Sequence, residues 1–336
     1  MKQAIAKLEK ERPSDCPEFL KIISNELLII ENDLITKLGE KNSLLQGIIN
    51  YIFKAGGKRL RPALCLLTAK ATGGITEKHF ILGELTELIH TASLIHDDII
   101  DSSKLRRSRE TINSLWNDKI SVIAGDFLFA QASIRLGELE NTEIVKIYAQ
   151  VLSDLCNGEI EQFSSKFNPT ITWDYYIEKS TTKTASLFAA ACKSAAIIND
   201  MNEHTIEKAN QFGINLGIAF QIVDDTLDFT SNTKDLGKEV GTDLKQGIIT
   251  APALFALNSN DERSKQIKTL IENRYYESNH DFDKTIRLIH ELGGCEKSKQ
   301  LAKDYISKAN DNLSFVNDSN LKNCLLKVAD FVIERI

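Results

Sequence analysis

Leu94-Ile95-His96-Asp97-Asp98-Ile99-Ile100-Asp101 reads as the end of an apolar helix carrying D-D-x-x-D, and Gln221-Ile222-Val223-Asp224-Asp225-Thr226-Leu227-Asp228 repeats the pattern. On a helix, residues four apart share a face, so Asp97 aligns with Asp101 and Asp224 with Asp228. Three carboxylates within about one turn repel one another unless cations lie among them. Carboxylate oxygens with room for water suit Mg²⁺, whose coordination shell is usually completed by substrate phosphates rather than by an all-protein cage. A single triplet reads equally well as a solvated acidic face. Two matched triplets in apolar helices do not.

The helix around the first triplet extends the pattern. At about 100° per residue, His90, Asp97 and Asp101 fall within roughly 20° of one line, a polar stripe on an otherwise apolar helix. Gln221 lies three residues before Asp224 and gives the second helix a similar stripe. A lone His or Gln on such a face is ordinarily a satisfied core group; alignment with metal-type carboxylates reverses that preference.

Elsewhere helical periodicity dominates and strand-like alternation is scarce. The pattern predicts helices over 20–38, 44–54, 62–71, 84–101, 120–136, 143–163, 173–198 and 206–229, separated by brief punctuation such as Gly56-Gly57, Gly73-Gly74 and Asn168-Pro169. Only five prolines occur, none between Pro62 and Pro169, and Pro62 itself suits a first helical turn. The polar stretch 258–284 is expected to be peripheral and variable. The expected architecture is all-α: one domain over 1–336, a single large helical bundle around a central apolar cavity, with N-terminal helices in 1–40.

At 336 residues and 42% apolar composition the chain can bury a large core, and a net charge of −6 argues against nucleic-acid binding. Six cysteines are scattered without a C-x-x-C pair and are expected to be reduced. No uninterrupted apolar run reaches the roughly 18 residues of a membrane span; the best, 185–198, is cut by Lys193. Glu9 and Glu11 are wrong for an acid-poor transit peptide. A soluble protein is expected.

Basic residues cluster where phosphates would need partners. Gly56-Gly57-Lys58-Arg59-Leu60-Arg61-Pro62 is a cationic loop opening a helix. Arg106, Arg107 and Arg109 follow the first triplet, Lys183 and Thr184 begin an apolar helical stretch, and Lys238 follows the second triplet. Each alone reads as a solvated surface charge. Together with six aspartates they supply metal sites and cations for two polyanions.

In this order and in these motifs the chain resembles the trans-isoprenyl diphosphate synthases, specifically the long-chain polyprenyl (solanesyl or octaprenyl) type of bacteria, cyanobacteria and algal plastids. G-G-K-R-L-R-P from Gly56, H-T-A-S-L-I-H-D-D-I-I-D from His90, L-R-R from Leu105, A-G-D-F-L-F-A-Q-A-S from Ala124, K-T-A-S-L from Lys183, Q-I-V-D-D-T-L-D-F from Gln221 and G-K-E-V-G-T-D-L-K-Q-G from Gly237 carry the likeness. The resemblance implies the isoprenoid-synthase type of helical bundle. It implies that Lys58, Arg61, His90 and Arg107 hold isopentenyl diphosphate, while Arg106, Lys183, Thr184, Gln221 and Lys238 hold the allylic diphosphate. It makes Asp97, Asp101 and Asp224 ligands of about two or three Mg²⁺ ions, with Asp98, Asp225 and Asp228 beside them in the catalytic set. Ser102-Ser103, Ser108 and Thr226 depart from the family pattern, and none of them removes a metal ligand or a phosphate cation.

The implied reaction is metal-dependent prenyl transfer, lengthening an allylic diphosphate by isopentenyl units, and the resemblance implies that it serves the solanesyl side chain of plastoquinone. Small residues at Ala92 and Ser93, about one turn before Asp97, are expected to leave a product tunnel open toward Ile89 and Leu85. The resemblance further implies a homodimer located in a plastid stroma or a bacterial or cyanobacterial cytoplasm. Open alternatives are a short-chain farnesyl or geranylgeranyl diphosphate synthase and a non-catalytic subunit of a heteromeric synthase. A class I terpene cyclase would carry N-D-x-x-S-x-x-x-E in place of the second triplet, which is absent around Asp224.

Overall fold

Beyond a 3-10 segment at Glu18–Ile23, the chain is a succession of helices: α1 Ser24–Thr36, α2 Ser43–Phe53, α3 Leu60–Thr72 and α4 Glu77–Ile100 come first. The computed structural model describes residues 17–38, 43–54, 56–106, 109–230, 240–275 and 279–336. A two-residue antiparallel pair follows α4, β1 Leu105–Arg106 with β2 Arg109–Glu110, in the register Leu105 opposite Glu110. Then come α5 Ile112–Leu115, α6 Asp118–Glu138, α7 Thr142–Ser164 and α8 Trp173–Ser180. A π-turn at Thr181–Ala185 leads into α9 Ser186–Ile198, followed by α10 Glu203–Thr230. The remainder is α11 Thr242–Lys245, α12 Ala251–Leu257, α13 Glu262–Glu272, α14 Asn279–Glu291, α15 Gly294–Asp311, a 3-10 turn Leu313–Phe315 and α16 Ser319–Ile333. The fold is the expected all-α type.

Two compact units organise the described residues. The first comprises those in Met1–Tyr148, Ala190–Asn210 and Leu313–Val328; the second comprises those in Ala149–Ala189, Gln211–Asn312 and Ala329–Ile336.

In the first unit α4 is central, with α6, α3 and α1 packed against it. Leu82, Leu85, Leu88, Ile89, Ala92 and Ile95 supply its buried apolar face. Its N-terminus is fixed by a capping box in which Thr76 and His79 serve each other's backbone N–H groups. Two buried ion pairs brace the unit. Arg59 donates to Glu87 and, at 2.8 Å, to Glu31, while Arg135 of α6 reaches Glu84 of α4 at 2.6 Å. Arg59 takes a left-handed φ of 44° at the N-cap of α3, a costly backbone state that these contacts hold in place. Its guanidinium is structural.

In the second unit α10 lies backbone to backbone against the segment leading into α9. A Cβ on Gly213 would come within 2.6 Å of the Ala189 Cα, and one on Gly217 within 2.5 Å of the Ala185 Cα. Glycines four apart on one helix thus face alanines four apart on the other, which only small residues permit. In the C-terminal part, α12 packs on α15, and α13 and α14 pack on each other.

One sequence expectation is corrected and one gap is filled. The predicted helix 173–198 is interrupted by the π-turn, where the Ser186 N–H reaches back to the Thr181 carbonyl. Ser180, Thr181, Thr182 and Ser186 donate side-chain hydroxyls to carbonyls four residues earlier, at 2.7–3.1 Å, in competition with the regular ladder. Downstream of Phe229, where the sequence reading named no individual helix, α11 to α16 form. In 258–284 the apolar stripe is narrow, Ile267 and Ile271 on α13, and the surrounding charge hides it from a periodicity reading.

Candidate active site

The first aspartate triplet ends α4. Asp97 is half-buried, Asp101 is exposed at the C-cap, and Asp98 points inward, 5% exposed, accepting from Arg106 Nε at 2.8 Å. The three therefore divide: Asp97 and Asp101 lie one turn apart with their side chains partly or fully exposed, while Asp98 pins the β1 strand to the helix. Arg106, expected at the allylic diphosphate, here serves Asp98. His90, half-buried, lies two turns up α4, and its carbonyl accepts from the Ser93 hydroxyl at 2.9 Å. Ala92 is fully buried and Ser93 half-buried. Lys58 is exposed just before α3 and Arg61 half-buried in its first turn. Arg107 and Lys238 lie outside the described residues.

The second triplet, in the other unit, divides differently, each aspartate taking its own partner. Asp224 is 38% exposed and pairs with Arg335 at 2.6 Å, whose guanidinium also lies over the Phe220 ring at 4.7 Å. Asp225 is buried: Tyr176 Oη donates to its Oδ2 at 2.6 Å and Gln221 Nε2 to its Oδ1 at 2.7 Å. Gln221 Oε1 in turn accepts from the Thr184 hydroxyl. Asp228 accepts the N–H groups of Thr242 and Asp243, both at 3.1 Å, and so ties α10 to the start of α11. Lys183, in the π-turn, pairs with Glu159.

Electrostatics follow burial. Burial pushes the Asp225 carboxyl up, opposed by Lys179, then by the Tyr176 and Gln221 hydrogen bonds. Burial and the facing carboxylate push the Tyr176 phenol well above its usual range. Lys179, 6% exposed on α8, is pulled down by burial against the attraction of Asp225. Asp228 is pushed up to about 7, first by burial and next by repulsion from Asp243.

The structure thus brings Thr184, Gln221 and Asp225 into one hydrogen-bonded chain, and Arg106 to Asp98. Tyr176, Lys179, Glu159, Asp243 and Arg335 were not foreseen from the sequence. An aromatic, a lysine or a penultimate arginine far away in the chain carries no local signal; only folding sets them beside the triplets.

Among the described residues no three His, Cys, Asp or Glu side chains converge to cage an ion. What the chain offers instead is accessible hard oxygen at Asp97, Asp101 and Asp224. Within each unit, carboxylate oxygen of this kind suits Mg²⁺ completed by phosphate and water.

Residues 42–289 match the family model described as polyprenyl synthetase. The chain is 40% identical, over 98% of its own length and 79% of the relative's, to solanesyl diphosphate synthase 2, chloroplastic, of Arabidopsis thaliana. Among solved structures, a decaprenyl diphosphate synthase from Rhodobacter capsulatus superposes with a TM-score of 0.87 at 32% identity, covering 95% of this chain and 98% of that one. A polyprenyl synthase from Caulobacter crescentus CB15, complexed with calcium and isoprenyl diphosphate, gives a TM-score of 0.88 at 29% identity, covering 96% and 98%. With two D-D-x-x-D triplets on its helices and a family match across most of its length, this chain belongs to the polyprenyl synthetase family.

Proposed function

We propose that this protein is a long-chain trans-polyprenyl diphosphate synthase that adds isopentenyl diphosphate units to an allylic diphosphate with Mg²⁺. The observation that carries the reading is the Thr184–Gln221 hydrogen bond. It joins the K-T-A-S-L segment to the helix of the second aspartate triplet within one unit, which supports assigning both to one diphosphate site. The names of the relatives, solanesyl and decaprenyl synthases, support a long product, and solanesyl diphosphate is the favoured one.

In this reading Lys58, Arg61, His90 and Arg107 bind isopentenyl diphosphate, and Arg106, Lys183, Thr184, Gln221 and Lys238 bind the allylic diphosphate. Asp97, Asp101 and Asp224 hold Mg²⁺, which when bound neutralises the diphosphate as it departs. The cationic side chains stabilise the same developing charge. The allylic carbon–oxygen bond breaks and diphosphate departs, the isopentenyl double bond attacks the resulting cation, and the departed diphosphate takes the proton lost to give a chain longer by one unit. No protein nucleophile is needed. The buried apolar face of α4 keeps water from the cation and accepts the lengthening tail past Ser93 and Ala92 toward Ile89 and Leu85.

The chain works as one synthase domain over 1–336, and as a homodimer. Support for the dimer comes from α6. By length and composition alone this helix is apolar enough to cross a bilayer. One side packs on α4, with Arg135 paired to the buried Glu84, while Val122, Ile123 and Ile134 stand exposed. A second copy covering that side accounts for both features. The chloroplastic relative supports a plastid stroma, with a bacterial or cyanobacterial cytoplasm as the other setting.

The deciding experiment is product chromatography after incubation of the purified chain with farnesyl or geranylgeranyl diphosphate, isopentenyl diphosphate and Mg²⁺. A ladder ending in a long product is expected, abolished by chelator and restored by Mg²⁺. Asp97→Ala and Asp224→Ala should each remove several orders of magnitude in rate. Turnover persisting in excess chelator, or only short products, contradicts the reading.

A further inference from the structure

Tyr176 and Lys179 belong to none of the residue groups assigned above, yet both face the second triplet. Tyr176 is fully buried, and its hydroxyl is committed to Asp225 at 2.6 Å. Lys179, one turn later on α8, has its Nζ 5.7 Å from the Tyr176 ring centroid and is itself almost wholly buried. Burying a phenol, a carboxylate and an ammonium together is costly, and an apolar trio of similar volume would pack at least as well. Core stability alone therefore does not account for them.

Their location offers another account. Asp225 sits between Asp224 and Asp228 on one turn of α10, so the contact that fixes its carboxylate also fixes the rotation of that turn and the directions of its neighbours. Gln221 holds the other oxygen at 2.7 Å and passes the constraint to the Thr184 hydroxyl in the π-turn. The hydrogen-bonded chain Tyr176–Asp225–Gln221–Thr184 thus runs from the base of α8 to the start of K-T-A-S-L, and α8 continues directly into that turn. Lys179, buried beside Tyr176, attracts the Asp225 carboxylate from the same side.

We propose that Tyr176, supported by Lys179, is a positioning residue for the allylic diphosphate and its Mg²⁺. It orients Asp224 through Asp225 and orients Thr184 through Gln221, without touching substrate. The inference rests on the synthase reading above.

Its test uses the full chain and an unreactive probe, farnesyl thiolodiphosphate with Mg²⁺, followed by calorimetry. Tyr176→Phe deletes only the hydroxyl. It is expected to bind the probe about tenfold more weakly and to raise the allylic KM by a similar factor. The isopentenyl diphosphate KM should stay within about twofold, because only the allylic side of the network is loosened. Lys179→Met should weaken Mg²⁺-probe binding in the same direction, which guards against a Tyr176 variant that fails to fold. Asp225→Asn combined with Tyr176→Phe should cost less than the sum of the two changes. A role in packing alone would lower the melting temperature while leaving probe affinity and the KM split unchanged; that outcome, or wild-type affinity in both single variants, overturns the proposal. If the wild-type chain neither binds the probe nor elongates, the synthase reading itself fails and this inference falls with it.

Discussion

Asp224, Asp225 and Asp228 are the same residue on one helical turn, yet each has a different environment: a half-exposed ion pair, a buried network, and a helix-tying acceptor. Asp228 shows what this costs. Held at about 7 by burial and by Asp243, it keeps its proton in the folded chain where an unfolded aspartate, at about 3.9, has lost it. The unfolded state binds fewer protons across that interval, so this group's contribution to stability is full below about pH 4 and falls as pH rises toward 7. Asp243→Asn removes the repulsion and favours the ionised form. It is expected to raise the metal-free melting temperature at about pH 8 and to change it little at about pH 5; thermal melts at both values check this, and equal shifts would contradict it. Ala92 carries a prediction of a different kind. It is fully buried on α4, about one turn from Asp97, and a helical turn of about 5.4 Å is comparable to one isoprene unit. Ala92→Phe should stop elongation at about three or four units while leaving the first condensations fast, as product profiling would reveal. An unshortened product would place the tunnel elsewhere.

Elements meet through the smallest residues. Gly213 and Gly217 on α10 admit Ala189 and Ala185 so closely that neither helix could move outward without parting Thr184 from Gln221. Gly217→Ala would push a methyl against the Ala185 backbone, an overpacking expected to cost about 1–3 kcal/mol. Urea unfolding should register that loss, together with a rise in allylic KM; retained stability and KM would mean the helices have room that the packing denies. The helices themselves were largely legible in advance: 44–54, 120–136, 143–163 and 206–229 match α2, α6, α7 and α10 to within a few residues at each end. Each carries a broad apolar stripe. The π-turn was not legible, because its hydroxyl-to-carbonyl bonds and its close neighbour α10 are facts of packing.

For the molecule as a whole, the exposed Ile123 and Ile134 on α6 make association the testable matter. Light scattering at micromolar concentration should report a dimer, and Ile123→Glu should drive it toward monomer by burying a charge in the contact. A wild-type monomer would refute the dimer outright. A mutant dimer would move the interface to another face.

From the sequence alone came the all-α class, the two aspartate triplets, the cationic partners and the family resemblance, because each is written in spacing: 3.6-residue periodicity, D-D-x-x-D, and basic residues at fixed offsets. Spacing says which side chains share a helix face and nothing about what lies opposite. Only the tertiary structure decided which aspartates turn inward, Asp98 to Arg106 and Asp225 to Tyr176, and which keep solvent exposure, Asp97, Asp101 and Asp224. Those partners lie eight and forty-nine residues away, and the second is brought to its carboxylate by helix packing, to which local periodicity is blind.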